Sequence, residues 1–232
     1  MKISGAALSC LLLLASMHGQ EPLRAHVELT RGGHRAKDSS RAVVWLTPVG
    51  TPVQAPQQTQ IPQLVQKNKS FQPSLIVIPA GGKVEFPNHD PFFHNVFSLF
   101  EGKRFDLGLY ESGTTRFVQF DKPGVSFIFC NIHAEMSAVV IAVATPYYAI
   151  SDVHGDLTIP DVPPGRYQLQ VFHSSVAPDA LRAMTREVTI TAGQTTLGSF
   201  TMAESDVTVA HKNKYDRDYD RPDPNSPAYA RP

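Results

Sequence analysis

The sequence predicts an all-β protein, built as one large β domain or two small ones. Three observations carry that reading. Apolar residues fall in short runs, several with strict alternation, as a half-buried strand requires. The 19 prolines and 15 glycines are spread between those runs, where they mark turns and interrupt long helices. At 232 residues and 42% hydrophobic content, the chain is long and apolar enough for real cores. Charged residues make up only 18%, with Lys+Arg and Asp+Glu balanced at 21 each and no basic stripe. That balance gives no footing for nucleic acid or an acidic membrane surface.

Residues 1–20 read as a secretory signal. Lys2 supplies a short positive start, 6–15 form an apolar run, and 16–19 offer small residues near a cut. The run falls short of the roughly 20 residues a membrane span needs. No integral span is therefore expected, and the mature protein is placed in the periplasm or outside the cell. Cys10 leaves with the leader, so Cys130 becomes the single thiol. Exported proteins meet oxidising surroundings, where thiols tend to pair. An odd thiol there calls for an explanation, and metal ligation is the most economical one.

Within 21–52, strands are read at 26–29 and 42–46, with a polar loop between them. Residues 53–66 are rich in Pro and Gln and read as a linker. Residues 67–145 form a compact β unit. Strands at 75–78 and 83–86 flank the turn Pro79-Ala80-Gly81-Gly82, and 87–91 is dense in loop formers. The apolar stretch 92–100 contains His94. Alternation at 115–120 leads into the turn Asp121-Lys122-Pro123-Gly124. The strand 125–130 is apolar on both faces, and 137–143 is a β-branched run suited to a buried strand. Over 146–202, strands are read at 147–150, 157–159, 167–172 and 188–190. Residues 203–232 repeat Asp, Tyr, Arg and Pro and read as a disordered tail.

The chemistry concentrates in Cys130-x2-His133-x2-Met136, read together with His94 upstream. Thiolate and thioether favour Cu(I), imidazole serves both oxidation states, and His2Cys with a weak axial Met is an electron-transfer copper arrangement. The plain alternative is a small buried cysteine, a surface histidine and a methionine filling a core gap. The ring of His94 needs an acceptor to orient it, and Asn88 and Asn95 are the candidates for tying the two ligand loops together. Phe92, Phe93, Phe97, Phe127 and Phe129 are expected to exclude water. His89 reads as a solvated loop residue, and His26, His34, His154, His173 and His211 as surface.

On Phe86-Pro87-Asn88 leading to His94-Asn95, the Pro123-Gly124-Val125 turn, and the short Cys130–Met136 spacing, residues from about 60 to 145 resemble a cupredoxin. This is the blue-copper Greek-key β-sandwich of plastocyanin and amicyanin. The resemblance implies His94, Cys130, His133 and Met136 as the four ligands of one mononuclear type 1 copper, with His133 nearest the surface as the edge for electrons. A second signature is Asp152-x2-Gly155-x-Leu157-x-Ile159-x2-Val162-Pro163-x-Gly165-x-Tyr167-x-Leu169. It is similar to the carboxypeptidase regulatory-like, transthyretin-like small β-sandwich. The strands at 26–46 look like the first part of that domain, which makes the cupredoxin an insertion. The combination is similar to exported methylamine-utilisation-like proteins. The expected function is a one-electron carrier with a redox partner protein, and not an enzyme, since no second His cluster or nucleophile elbow is visible. A copper-delivery protein, and a non-metal adhesion or carbohydrate-binding module, are the alternatives from other classes.

Overall fold

The computed structural model describes residues 21–50, 55–99, 102–205 and 212–219. The leader expected at 1–20, part of the linker, and most of the tail lie outside the described residues. The protein is all-β. In chain order the strands begin with β1 (Leu23–Arg31), β2 (His34–Arg35), β3 (Val43–Pro48), β4 (Val65–Lys67), β5 (Ser70–Gln72) and β6 (Leu75–Pro79). Next come β7 (Lys83–Pro87), β8 (His94–Ser98), β9 (Phe105–Tyr110), β10 (Thr115–Gln119), β11 (Gly124–Phe129) and β12 (Ser137–Val143). After these follow β13 (Tyr148–Ile150), β14 (Asp156–Ile159), β15 (Gly165–Phe172), a short helix α1 (Pro178–Met184), β16 (Arg186–Ile190) and β17 (Thr196–Ala203).

Two sandwiches result. In the first, β1 lies between β14 and β17, and this layer faces the sheet β13-β3-β15-β16. Both layers therefore mix strands from before residue 50 with strands from after 147, so the intervening chain is an insertion. Alternation along β1 sends Leu23, Ala25, Val27 and Leu29 inward, against Leu46, Leu169 and Phe200. The inserted sandwich sets the sheet β6-β12-β11-β8-β9 against the pairs β7-β10 and β4-β5. Its core holds Leu64, Phe86, Val96, Phe120, Ile128, Cys130, Met136 and Val140.

The double apolar face of 125–130 now has a reason. Ile128 and Cys130 point into the inserted core, while Val125 and Phe127 face an apolar layer shared with the first sandwich. That layer joins Leu75, Val139, Ile141 and Val143 to Val43 and Phe172, and the Phe127 and Phe172 rings lie 6.0 Å apart. A strand covered on both faces shows no period-2 signal.

Several expectations need correction. The Pro/Gln-rich stretch is not wholly linker. Residue 63 bridges Glu85 of β7 and residue 66 bridges Asn88 just beyond it, both in parallel, and Leu64 and Gln66 are fully buried. Strands β9 and β17 are additional to those expected, because Gly108 and Gly198, both at positive φ, interrupt their sequence patterns. Residues 212–219, assigned above to a disordered tail, fold back onto the inserted sandwich, held by side-chain hydrogen bonds rather than by apolar burial.

His173 is buried, not a surface residue. Its Nε2 donates to the Ser40 carbonyl at 3.2 Å, and Nδ1 accepts the Ser175 N–H at 3.3 Å. Burial pushes its pKa below the ordinary histidine value, against the opposing pull of the Ser40 carbonyl, Glu204 and Asp38. Because the folded state holds this ring neutral, its contribution is fully present above the unfolded value of about 6.5 and is lost as pH falls through the lower folded value. Urea unfolding at about pH 7.5 and about pH 5.5 is expected to show a smaller acid loss in His173→Gln than in the parent.

Candidate metal centre

Three side chains from two elements converge at one end of the inserted sandwich. His94 opens β8, and the loop after β11 supplies Cys130 and His133. The loop is closed by its own backbone. The Cys130 N–H donates to the Met136 carbonyl and the Met136 N–H to the His133 carbonyl, both at 3.1 Å. The donor atoms of His94, Cys130 and His133 lie within 4.8 Å of one another, and all three residues are buried. Both rings turn Nδ1 toward the thiol, with Sγ 3.7 Å from His94 and 3.5 Å from His133. His94 is fully enclosed, whereas His133 retains 9% exposure and forms the outer edge of the group.

Burial raises the Cys130 pKa above that of an ordinary thiol, although the backbone N–H groups of Asn95, Ile132 and His133 point at the sulfur and oppose the rise. Those three donors fit a thiolate better than a thiol. Burial also pushes both imidazoles down, with His133 reaching about 4 under the added influence of His94. Two neutral imidazoles beside a sulfur with convergent donors are the protonation states a soft metal ion takes up, and the thiol proton is released on binding. Donor atoms sharing one small metal ion stand roughly 3.3–3.8 Å apart. The two sulfur–nitrogen spacings, 3.7 and 3.5 Å, fit that chemistry. Met136 is fully buried in the same core, at the closing end of the loop.

The carboxylate that orients His94 is Asp90, which by sequence is one of the turn formers in 87–91. In the structure its Oδ2 accepts from His94 Nε2 at 2.8 Å, with both side chains buried. Its two oxygens also accept the N–H groups of Asn68 and Lys69, at 2.6 and 2.9 Å. Both of those residues hold φ of 55° in the tight turn between β4 and β5. Burial would raise the Asp90 pKa, but the Lys69 N–H, His94 and the Asn68 N–H outweigh it and hold the carboxyl below its ordinary value. An ionised carboxylate at Nε2 fixes the proton there and leaves the Nδ1 lone pair facing Cys130.

The two asparagines proposed for this duty are placed differently. Asn88 ties its own loop together, donating to the carbonyls of Phe92 and Tyr110 and accepting the Asp90 N–H. Asn95 reaches the sulfur through its main chain, while its side chain donates to Asp106 at 2.7 Å. Of the phenylalanines, Phe92 sits against both ligand rings, with centroids 5.2 Å from His94 and 5.7 Å from His133. Phe97 and Phe129 pack on each other, Phe127 belongs to the layer between sandwiches, and Phe93 is 55% exposed. His89 is exposed and outside the group.

The fold and site thus define an all-β protein with a buried His-Cys-His group. A family model described as polysaccharide lyase family 4, domain II, matches residues 141–197. No curated protein matches the chain. Among solved structures, the chain is similar to a copper-containing nitrite reductase from Thermus scotoductus, at 24% identity and a TM-score of 0.36. That match covers 43% of this chain but only 26% of the reductase. A purple cupredoxin from Nitrosopumilus maritimus is matched over its full length at 22% identity, covering 36% of this chain with a TM-score of 0.33. Amicyanin from Paracoccus versutus is 21% identical, with 43% of this chain and 97% of amicyanin covered, at a TM-score of 0.34.

Proposed function

We propose that this is an exported one-electron carrier holding a single mononuclear copper of the blue, type 1 kind. The observation that carries this reading is the convergence of His94, Cys130 and His133, buried and with both Nδ1 atoms turned to one thiol. His94, Cys130 and His133 would hold the metal, and Met136, buried at the end of the same loop, would add a thioether to the set. Bound by these residues, copper would supply one-electron chemistry between Cu(I) and Cu(II).

The chain's own residues supply the rest. Asp90 orients His94, three backbone N–H groups stabilise charge on the sulfur, and Phe92 keeps water from both rings. The fixed frame of two strands and a closed loop holds the donors in place through a change of charge. His133, at the outer edge, is where a redox partner protein would approach. The leader at 1–20 would deliver the chain to the periplasm or beyond, and the first sandwich, read as carboxypeptidase regulatory-like, would act as its host domain.

The test is the visible spectrum of the mature protein titrated with Cu(II), beside a Cys130→Ser control. An intense blue thiolate charge-transfer band, absent in the control and bleached by a reductant, is the expected result. A colourless protein that binds no copper would overturn the reading.

A further inference from the structure

Residues 212–219 lie beyond both sandwiches in sequence, yet they return to the metal end of the inserted one. The Lys214 N–H donates to Asn131 Oδ1 at 2.9 Å, and the Tyr219 hydroxyl donates to the carbonyl of Cys130 at 2.8 Å. The Lys214 ammonium reaches Asp106 Oδ2 at 2.7 Å, with its side chain only 19% exposed. Asp106 in turn accepts from the side chain of Asn95, whose main chain points at the Cys130 sulfur. The segment is preorganised for this. The side chain of Asn213 accepts the N–H groups of Tyr215 and Arg217, and the Asp216 N–H donates to the Asn213 carbonyl, with φ of 59° at Asp216.

We propose that residues 212–219 form a strap over the thiolate face, in which Tyr219 and Lys214 are positioning residues for Cys130. Tyr219 takes the place of water on the Cys130 carbonyl and holds the Cys130–Asn131 peptide still. Lys214 neutralises Asp106, which otherwise sets a negative charge two hydrogen bonds from the sulfur. A negative charge there favours the more positive, oxidised state of a bound metal, and a partly enclosed setting screens it less than bulk water does. Lys214 therefore holds the potential up, and the strap as a whole closes the loop against outside reagents. The redox half of this inference rests on the copper reading; the closure half does not.

The experiment uses the full chain in two states. In copper-free protein, the rate at which a neutral aromatic disulfide labels Cys130 reports opening of the loop. The double variant Tyr219→Phe/Lys214→Met is expected to label about tenfold faster or more, the effect of losing one neutral and one charged hydrogen bond. In copper-loaded protein, Lys214→Met lowers the midpoint potential, and adding Asp106→Asn returns it toward the parent value. Unchanged labelling together with unchanged potentials overturns the strap. A fall in Lys214→Met that Asp106→Asn leaves in place overturns the role of Lys214. Faster labelling in a protein that takes up no copper upholds the strap and removes the copper reading, so the two failures are distinct.

Discussion

Replacing Asp90 by asparagine is expected to weaken copper binding by about 10–100-fold while leaving the fold in place. The carboxylate accepts three hydrogen bonds, from His94 and from the N–H groups of Asn68 and Lys69. With its oxygen in the Oδ1 place an asparagine keeps the Asn68 N–H, while its amide nitrogen, in the Oδ2 place, costs the Lys69 N–H its acceptor and donates to His94 Nε2. That moves the ring proton to Nδ1, the atom turned toward Cys130, and a protonated Nδ1 cannot ligate. Asp90→Ala goes further, because it leaves the buried His94 ring and two part-buried N–H groups without an acceptor, at up to about 1–3 kcal/mol each. The copper-free alanine variant is expected to lose on the order of 3–5 kcal/mol. Copper affinity by competition, and urea unfolding of both copper-free variants, separate the two effects. Equal copper affinity in Asp90→Asn and the parent would show that Asp90 does not set the tautomer.

The second large effect lies far from the metal. Gly155 has φ of +92°, and a Cβ there would sit 1.9 Å from the Val27 carbonyl oxygen, well inside contact distance. That oxygen is main chain, so the clash is relieved only by moving β1 or the turn before β14. The Val27 N–H also donates to the Gly155 carbonyl at 2.7 Å, a bond that such a shift breaks. Left-handed strain, steric overlap and the lost hydrogen bond together put Gly155→Ala on the order of 3–5 kcal/mol. The expected result is a lower urea midpoint for the first sandwich, with the charge-transfer band of the copper-loaded protein retained. A midpoint equal to the parent's would mean that the turn relaxes without displacing β1.

Some of this was legible in the residues and some was not. The all-β class was, because short alternating runs between Pro and Gly leave little room for other structure. The meeting of His94 with Cys130 and His133 was readable through the resemblance of 86–95 and 130–136 to a cupredoxin, whereas the odd thiol beside His133 pointed only to a metal. Asp90 was not legible, because in Asn88-His89-Asp90-Pro91 an aspartate has an ordinary turn role, and only the folded β4–β5 turn converts it into a buried acceptor. Buried Leu64 and Gln66 hid inside a Pro/Gln-rich composition, where parallel bridging to β7 and Asn88 overrides the local signal. The return of residues 212–219 is signalled locally only by the turn at Asn213. Its polar sequence satisfies the usual criteria for disorder, and its order comes from acceptors on Cys130, Asn131 and Asp106 that are distant in sequence.

The insertion also sets an order of assembly. The first sandwich cannot close until β14, β15 and β17 have been made, whereas the inserted one is complete in sequence at Val143. The middle of the chain is thus able to fold before either end. Closing a loop of about 100 residues opposes pairing by on the order of 4 kcal/mol. A folded insertion shortens the loop that pairing of Trp45 in β3 with Tyr148 in β13 must close. The metal-end domain is then the scaffold on which its host is built, and damage to its core should delay folding of the whole chain.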